Sequence, residues 1–398
     1  MMKTQTVLIS GAGVAGLTLA YWLKHFGWTP TLVEKHPCLR TGGYKIDLRG
    51  AGLEVVKRMG LYPAISAART SIAKAVCIDQ EGRQEAEMSA DLCGTRLEGV
   101  DLEIMRGTLL SILREAVPDV ECHFGDSIQE ISETDEGVNV AFEKQEPRTF
   151  DLVIGADGLH STVRRLVFGE ERAFAHELGV YVSVFSFPNF LNLTDCEIEH
   201  HSLQKYVNLY HDRASPQATA AVAFSTPTPF CSRQTQDQQE LILKTFAGAK
   251  WEMPKILGWM QASPDFYFDA MAQIHMPCWS KGRVALVGDA AYAATPLSGQ
   301  GTSMAIAGSY VLAGELSEAK NNHHIGFAHY EMLMRPFVKK NQKLAHMGAK
   351  ILRSSAYSRW LYRLGAMMPG KLILYFKNLA LKRTIKAANA LHLKEYRT

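Results

Sequence analysis

Residues 6–35, TVLISGAGVAGLTLAYWLKHFGWTPTLVEK, constrain this chain more than any other stretch. The apolar strand TVLIS runs into Gly11-x-Gly13-x-x-Gly16 and on into the helical run LTLAYWLKHF, which Gly27 ends before a second apolar strand. Such a strand–helix–strand unit of about 30 residues is one mononucleotide-binding half. The first glycine permits the tight turn, the second lets backbone approach a pyrophosphate, and the third, beside Ala15, lets the helix pack on the strand. The helix N-terminus then offers unpaired N–H groups and dipole charge to an anion. Glu34, followed by Lys35, ends the second strand, where a carboxylate accepts hydrogen bonds from a ribose diol. This much implies a dinucleotide without saying which.

At 398 residues the chain exceeds what a single core usually organises, so a large domain and at least one smaller one are expected. Hydrophobic residues at 47% and charged residues at 21% suit a soluble globular protein. Seven cysteines (38, 77, 93, 122, 196, 231 and 278) form an odd set without CxxC spacing, which argues against a disulfide framework or zinc site and for a reduced, cytoplasmic compartment. No apolar run approaches the ~18 residues that span a bilayer. The net charge of +3 is uneven: residues 331–398 carry 15 Lys/Arg against 2 acids, leaving −10 on the rest. His200-His201 and His323-His324 lack metal-ligand spacing and read as surface loops, so no metal is expected.

Residues 105–117 have the periodicity of an amphipathic helix. From about 171 to 277 the pattern changes to period two, in GVYVSVFSF, KYVNLYH, ATAAVAFST and FYFDAMAQIHM. That predicts an antiparallel sheet with one face covered. Two further motifs follow the first glycine loop: DLVIGADGLHSTVRR, with Asp157-Gly158, and GRVALVGDAAYAATPLSGQG, with Gly288-Asp289, Pro296 and Gly299-Gln300-Gly301. Pro336 and Pro369-Gly370 read as helix breaks.

The three motifs, in this order, resemble those of the class A flavoprotein monooxygenases, the FAD-dependent aromatic hydroxylases with the p-hydroxybenzoate hydroxylase-like fold. Within that family GGYKIDLRG (42–50), EIMRG, FYFDAMAQIHM and PLSGQG are similar to segments of the tetracycline-inactivating monooxygenases. The resemblance implies an α/β fold: a Rossmann-like FAD-binding domain, an inserted antiparallel substrate domain and a C-terminal helical segment. The FAD-binding domain would occupy 1–72, 98–170 and 278–335; the substrate domain would take 73–97 as an excursion and 171–277 as its sheet; a basic helical segment would fill 336–398. Non-covalent FAD would be held by Gly11, Gly13, Ala15, Gly16, Glu34, Lys35, Gly42, Gly43, Arg49, Arg106, Asp157, Gly158, Gly288, Asp289, Pro296, Gly299, Gln300 and Gly301. In this account Glu34 meets the adenosine ribose, Asp289 the ribityl chain, Arg106 the linker, and the Pro296–Gly301 loop lies under the ring.

The resemblance also implies transient NADPH or NADH, O2, and transfer of oxygen from a flavin C4a-hydroperoxide to an aromatic or polyketide-like small molecule, with tetracyclines among the candidates. The flavin carries that chemistry, so no catalytic side chain is assigned. No second GxGxxG is present for a resident nicotinamide cofactor. Tyr44 and Lys45 stand where those enzymes carry smaller or uncharged residues, Ser303 where the wider family has asparagine, and Gly308 where it often has aspartate. Inward residues of the substrate sheet would include Phe185, Phe187, Tyr206, Asn208, Phe224 and Met271, giving a largely apolar pocket. A monomer without nucleic-acid contacts is expected. The basic, apolar tail suggests packing across the domains, with contact to an anionic membrane surface as the alternative. Two rival readings are a membrane-surface hydroxylase of quinone or polyprenyl-phenol precursors and a non-catalytic FAD-binding sensor.

Overall fold

The computed structural model describes residues 5–39, 42–89, 101–213, 215–226, 229–320, 322–353, 379 and 381–397. At its centre six strands lie in the order Ser280–Lys281, Val284–Leu286, Leu152–Gly155, Thr6–Ser10, Thr29–Glu34, Glu121–Phe124. All pairings are parallel except that of the short edge strand Ser280–Lys281. Val7, Leu8, Ile9, Val153, Ile154, Ala285 and Leu286 are wholly or almost wholly buried, as strands covered on both faces must be. The helix Val14–His25 packs against the helix Gly301–Glu318, and Ser309 Oγ donates to the Ala15 carbonyl at 2.8 Å. The glycine-loop helix is thus pinned to an element almost three hundred residues later.

A second sheet has seven strands in the order Tyr267–Ile274, Ala175–Pro188, Gln217–Phe224, Lys205–His211, Cys196–Ser202, Lys74–Ile78, Gln84–Ser89. It is antiparallel except where Cys196–Ser202 meets Lys74–Ile78, a strand arriving from the earlier excursion. The sequence reading missed two helices inside this region, Thr235–Thr245 and Met253–Ala262. They cover one face, over a core of Tyr181, Phe185, Phe187, Phe224, Ile242 and Ile256. The other face carries Val180, Tyr206 and Met271 and meets Ala345 and Ala349 of the long helix His323–Arg353.

Three expectations are corrected here. Phe185, Phe187 and Phe224 do not line a pocket facing the first domain: they fill the helix-covered side, opposite in parity to Tyr206, Asn208 and Met271. His200 and His201 lie in a strand, not a surface loop, with His200 Nδ1 2.9 Å from the Ile78 carbonyl. Pro336 does not break its helix, which runs through it for 31 residues, so a boundary at 335/336 falls mid-helix. Proline deprives the carbonyl four residues earlier of its donor. That residue is Met332, 64% exposed, so water can replace the missing bond. Residues 354–378 of the basic tail, including Pro369-Gly370, lie outside the described residues. Among the described residues no helix is long and apolar enough to cross a membrane, and Cys38, Cys122, Cys196, Cys231 and Cys278 carry free thiols.

Candidate functional site

The glycine loop owes its shape to contacts a side chain would destroy. Gly11 has φ +103°, donates to the Val33 carbonyl at 2.7 Å, and a Cβ there would lie 2.5 Å from the Ala156 carbonyl oxygen. A Cβ on Gly16 would collide with the Gly11 carbonyl oxygen, whereas one on Gly13 would meet nothing within 4 Å. The loop is therefore tight behind and open in front, where the helix N-terminus, with no acidic residue in its first turn, faces the opening. Glu34 is oriented by two backbone donors, Ala12 N–H and His36 N–H, each at 2.9 Å. Lys35 is exposed beside it.

The later motifs converge on that opening. Asp157 accepts from Ser161 Oγ, from Val163 N–H at 3.1 Å and from Ser10 Oγ at 3.3 Å, tying its loop to the first strand. Burial nevertheless pushes its carboxyl up. Gly158, at φ +81°, borders open space. A Cβ on Gly288 would sit 3.0 Å from Ala15 Cβ, and one on Gly301 would sit 3.9 Å from Asp289 Oδ1. Asp289 is solvent-exposed, and desolvation nevertheless raises its carboxyl, with Arg106 pulling it back. A side chain that is exposed to solvent yet partly desolvated lines a cleft.

Pro296 is exposed, and Gly299, in the left-handed region at φ +61°, turns the chain toward Gln300, whose side chain is wholly buried with neither amide atom paired. Thr295, β-branched yet at φ +68°, is a backbone outlier at the head of this loop. Such strain concentrates at functional sites.

Gly42 and Gly43 run between the two domains. A Cβ at Gly42 would be 3.2 Å from Asp265 Oδ2 and one at Gly43 3.5 Å from Arg106 Cβ. Tyr44 follows, its carbonyl accepting Arg106 N–H at 3.1 Å and its ring centroid 6.3 Å from that of Tyr267. Burial raises its phenol and Arg106 lowers it.

Lys45, expected beside the ring, is instead taken up by Glu197 and, at 3.6 Å, by Glu103, which hold its ammonium protonated against burial. Asn208 Nδ2 donates to the same Glu197 at 3.0 Å, so it too belongs to a buried polar bridge between the domains. Tyr206 donates to Glu199 at 2.7 Å. With Tyr210, Tyr267 and Asp269, these residues give the face turned toward the first domain a polar lining, which corrects the expectation of a largely apolar pocket. Arg49 is 2% exposed and engaged by Asp47 and Asp101.

The structure accounts for two departures from the family pattern. Ser303, 1% exposed, accepts Arg49 N–H at 3.1 Å where Gly52 passes close to it. Gly308 leaves room for the Tyr292 hydroxyl, which meets Tyr330 Oη at 3.1 Å. Gly308→Ala is expected to lower unfolding stability by about 1–3 kcal/mol through overpacking, most of it recovered in combination with Tyr292→Phe. Urea unfolding of the single and double variants checks this.

Sequence reasoning passed over Arg164 as a site residue. It is wholly buried and donates to the Ala290 carbonyl at 3.0 Å, to the Leu159 carbonyl, and to Glu171 at 2.9 Å. One guanidinium thereby clamps the Asp157-Gly158 loop to the segment after Asp289. The sequence reading also missed His160, Tyr267 and Asp269, although the period of two puts Tyr267 and Asp269 on the same face as Met271.

A family model described as an FAD binding domain matches residues 4–342. A flavin-dependent monooxygenase from an unidentified prokaryote is 43% identical over 343 residues, covering 86% of this chain and 89% of that protein. Among solved structures, the tetracycline destructase Tet(51) superposes with a TM-score of 0.87 at 36% identity, and Tet(55) with 0.86 at 38%, each over 100% of both chains.

Proposed function

The chain belongs to the FAD-binding-domain family, among flavin-dependent monooxygenases, and from this we propose that it draws electrons from NADH or NADPH to hydroxylate a polyoxygenated aromatic or polyketide-like molecule of the tetracycline kind. The observation that carries the substrate class is the end-to-end likeness to two tetracycline destructases. The polar lining of Tyr206, Glu199, Tyr267 and Asp269 supports it, because hydroxyl- and carbonyl-rich rings need partners that simple phenols do not.

The residues present fit FAD. Open space fronts Gly13 at a helix N-terminus, and an exposed but partly desolvated carboxylate, Asp289, faces a cleft. Bound FAD supplies the electron and oxygen-transfer chemistry. The Gly11–Gly16 turn would hold its pyrophosphate, Glu34 a ribose, Asp289 the ribityl chain and Arg106 the linker. Tyr44 and Tyr267 would wall the ring's surroundings and keep out water, which protects a reactive oxygen donor from wasteful breakdown.

The test follows oxidation of NADH and of NADPH by the purified protein with a panel of phenols and tetracyclines, under labelled O2. The expected result is a yellow protein, substrate-stimulated oxidation of one nucleotide, and one labelled oxygen in a tetracycline product. Nucleotide oxidation that no panel member stimulates would contradict the substrate class. A colourless protein unchanged by added FAD would contradict the whole reading.

A further inference from the structure

Beside the proposed FAD contacts, four side chains from three segments form one continuous hydrogen-bonded line. Glu171 accepts from His160 Nδ1, with both carboxylate oxygens at 3.0 Å. His160 Nε2 lies 3.3 Å from Asp269 Oδ1, and the Tyr267 hydroxyl donates to Asp269 Oδ2 at 3.0 Å. The line begins at solvent and ends inside: the His160 side chain is 39% exposed, that of Asp269 14%, and the Tyr267 ring sits 6.3 Å from that of Tyr44. His160 belongs to the Asp157-Gly158 loop, while Tyr267 and Asp269 belong to the substrate sheet. No packing need explains this arrangement, since an apolar pair would join these surfaces at lower desolvation cost.

We propose that His160, Asp269 and Tyr267 form a proton path between solvent and the cleft beside Tyr44. A basic atom in the cleft takes the Tyr267 hydroxyl proton. Asp269, having received the Nε2 proton of the His160 imidazolium, replaces it, and the His160 ring, 39% exposed, turns its emptied Nε2 outward and recovers a proton from water. One proton moves inward, and only N–H and O–H bonds break and form. The reaction proposed above consumes one solvent proton for each NAD(P)H and O2, so an enclosed site needs such a path; in that respect the inference rests on that reading.

The electrostatics suit the role. The hydrogen bonds to Asp269 and then Glu171 raise His160 to about 9, so the imidazole is charged at neutral pH. The other charges facing this group are Arg164 and Arg233, both paired with Glu171, at 2.9 and 3.5 Å. Burial holds the Tyr267 phenol well above its ordinary value, so it passes a proton on and does not remain ionised.

The first test needs no substrate. In the FAD-loaded protein, nitrogen-labelled His160 should titrate near pH 9 by NMR, and in Asp269→Asn its midpoint should fall by at least one unit. A wild-type midpoint near 6.5 would show that the line is not formed in solution and would overturn the proposal. The second test measures turnover. His160→Ala should slow substrate-stimulated NAD(P)H oxidation at least tenfold and steepen its loss above neutral pH, with the FAD dissociation constant within error and a lower melting temperature, because its two carboxylate partners lose their shared cation. Added imidazole, at a temperature below the lowered melting point of His160→Ala, should restore most of its rate and none in Asp269→Asn. An unchanged rate, or a slow rate that imidazole does not rescue, overturns the path. If no substrate stimulates the wild type, the fault lies with the proposed reaction, and the NMR titration still decides the hydrogen-bonded line.

Discussion

Gly13→Ala is expected to fold with unchanged stability and to lose about 100-fold or more in affinity for FAD. The position has φ −79°, which alanine adopts freely, and its Cβ would touch nothing within 4 Å, so the folded chain does not resist the change. The methyl would enter the opening before the helix N-terminus, where a pyrophosphate must approach the backbone closely. Losing close contact with two phosphate groups is worth more than about 2.7 kcal/mol, the equivalent of a hundredfold. Gly16→Ala should behave differently. Its Cβ would collide with the Gly11 carbonyl oxygen, and backbone on both sides leaves neither partner free to yield. That variant is expected to lose flavin and fold stability together. Flavin fluorescence titration and thermal unfolding of the apoprotein separate the two cases. A Gly13→Ala protein binding FAD at wild-type affinity would remove this turn from the cofactor site.

Lys45→Met should destabilise the fold by about 3–5 kcal/mol, the usual cost of stranding a buried partner charge. Its ammonium is the shared cation of Glu197, 5% exposed, and Glu103, and the three residues bridge the domains. Without it two largely buried carboxylates lose their shared cation. Lys45→Met combined with Glu197→Gln should recover most of the loss, since an amide can keep the hydrogen bond to Asn208 without the charge. Urea unfolding of both variants and of Glu197→Gln alone supplies the cycle. Equal stability of Lys45→Met and wild type would show that the bridge is not formed.

The two glycine motifs and Asp289 were legible in the sequence because their chemistry is local: a turn, a helix start and a strand end lie within a few residues of one another. The facing of the substrate sheet was not. Both its sides are covered, one by helices and one by the flavin domain, so apolar residues occupy both parities and VSVFSF does not say which set looks where. Only the partners decide, and the helices over Phe185 and Phe224 come later in the chain. Lys45 shows the same limit from the side of charge. In sequence it is a lone cation beside the expected ring; in the fold its nearest carboxylate is 152 residues away. The line from His160 to Tyr267 was hidden for the same reason, with 109 residues between His160 and Asp269.

The central sheet also dictates an order in time. Leu152–Gly155 is flanked by Thr6–Ser10 on one side and Val284–Leu286 on the other, and Ser309 hydrogen-bonds the first helix from beyond the whole inserted domain. Ribosomes extend a chain by about 5–20 residues per second. The glycine loop therefore emerges roughly fifteen seconds or more before Asp289 and the helix that seats it. Until then the growing polypeptide has the turn proposed to hold the pyrophosphate, with no floor for the rest of the cofactor. FAD capture belongs to the end of synthesis, and a nascent chain stalled before residue 284 would leave the ribosome colourless.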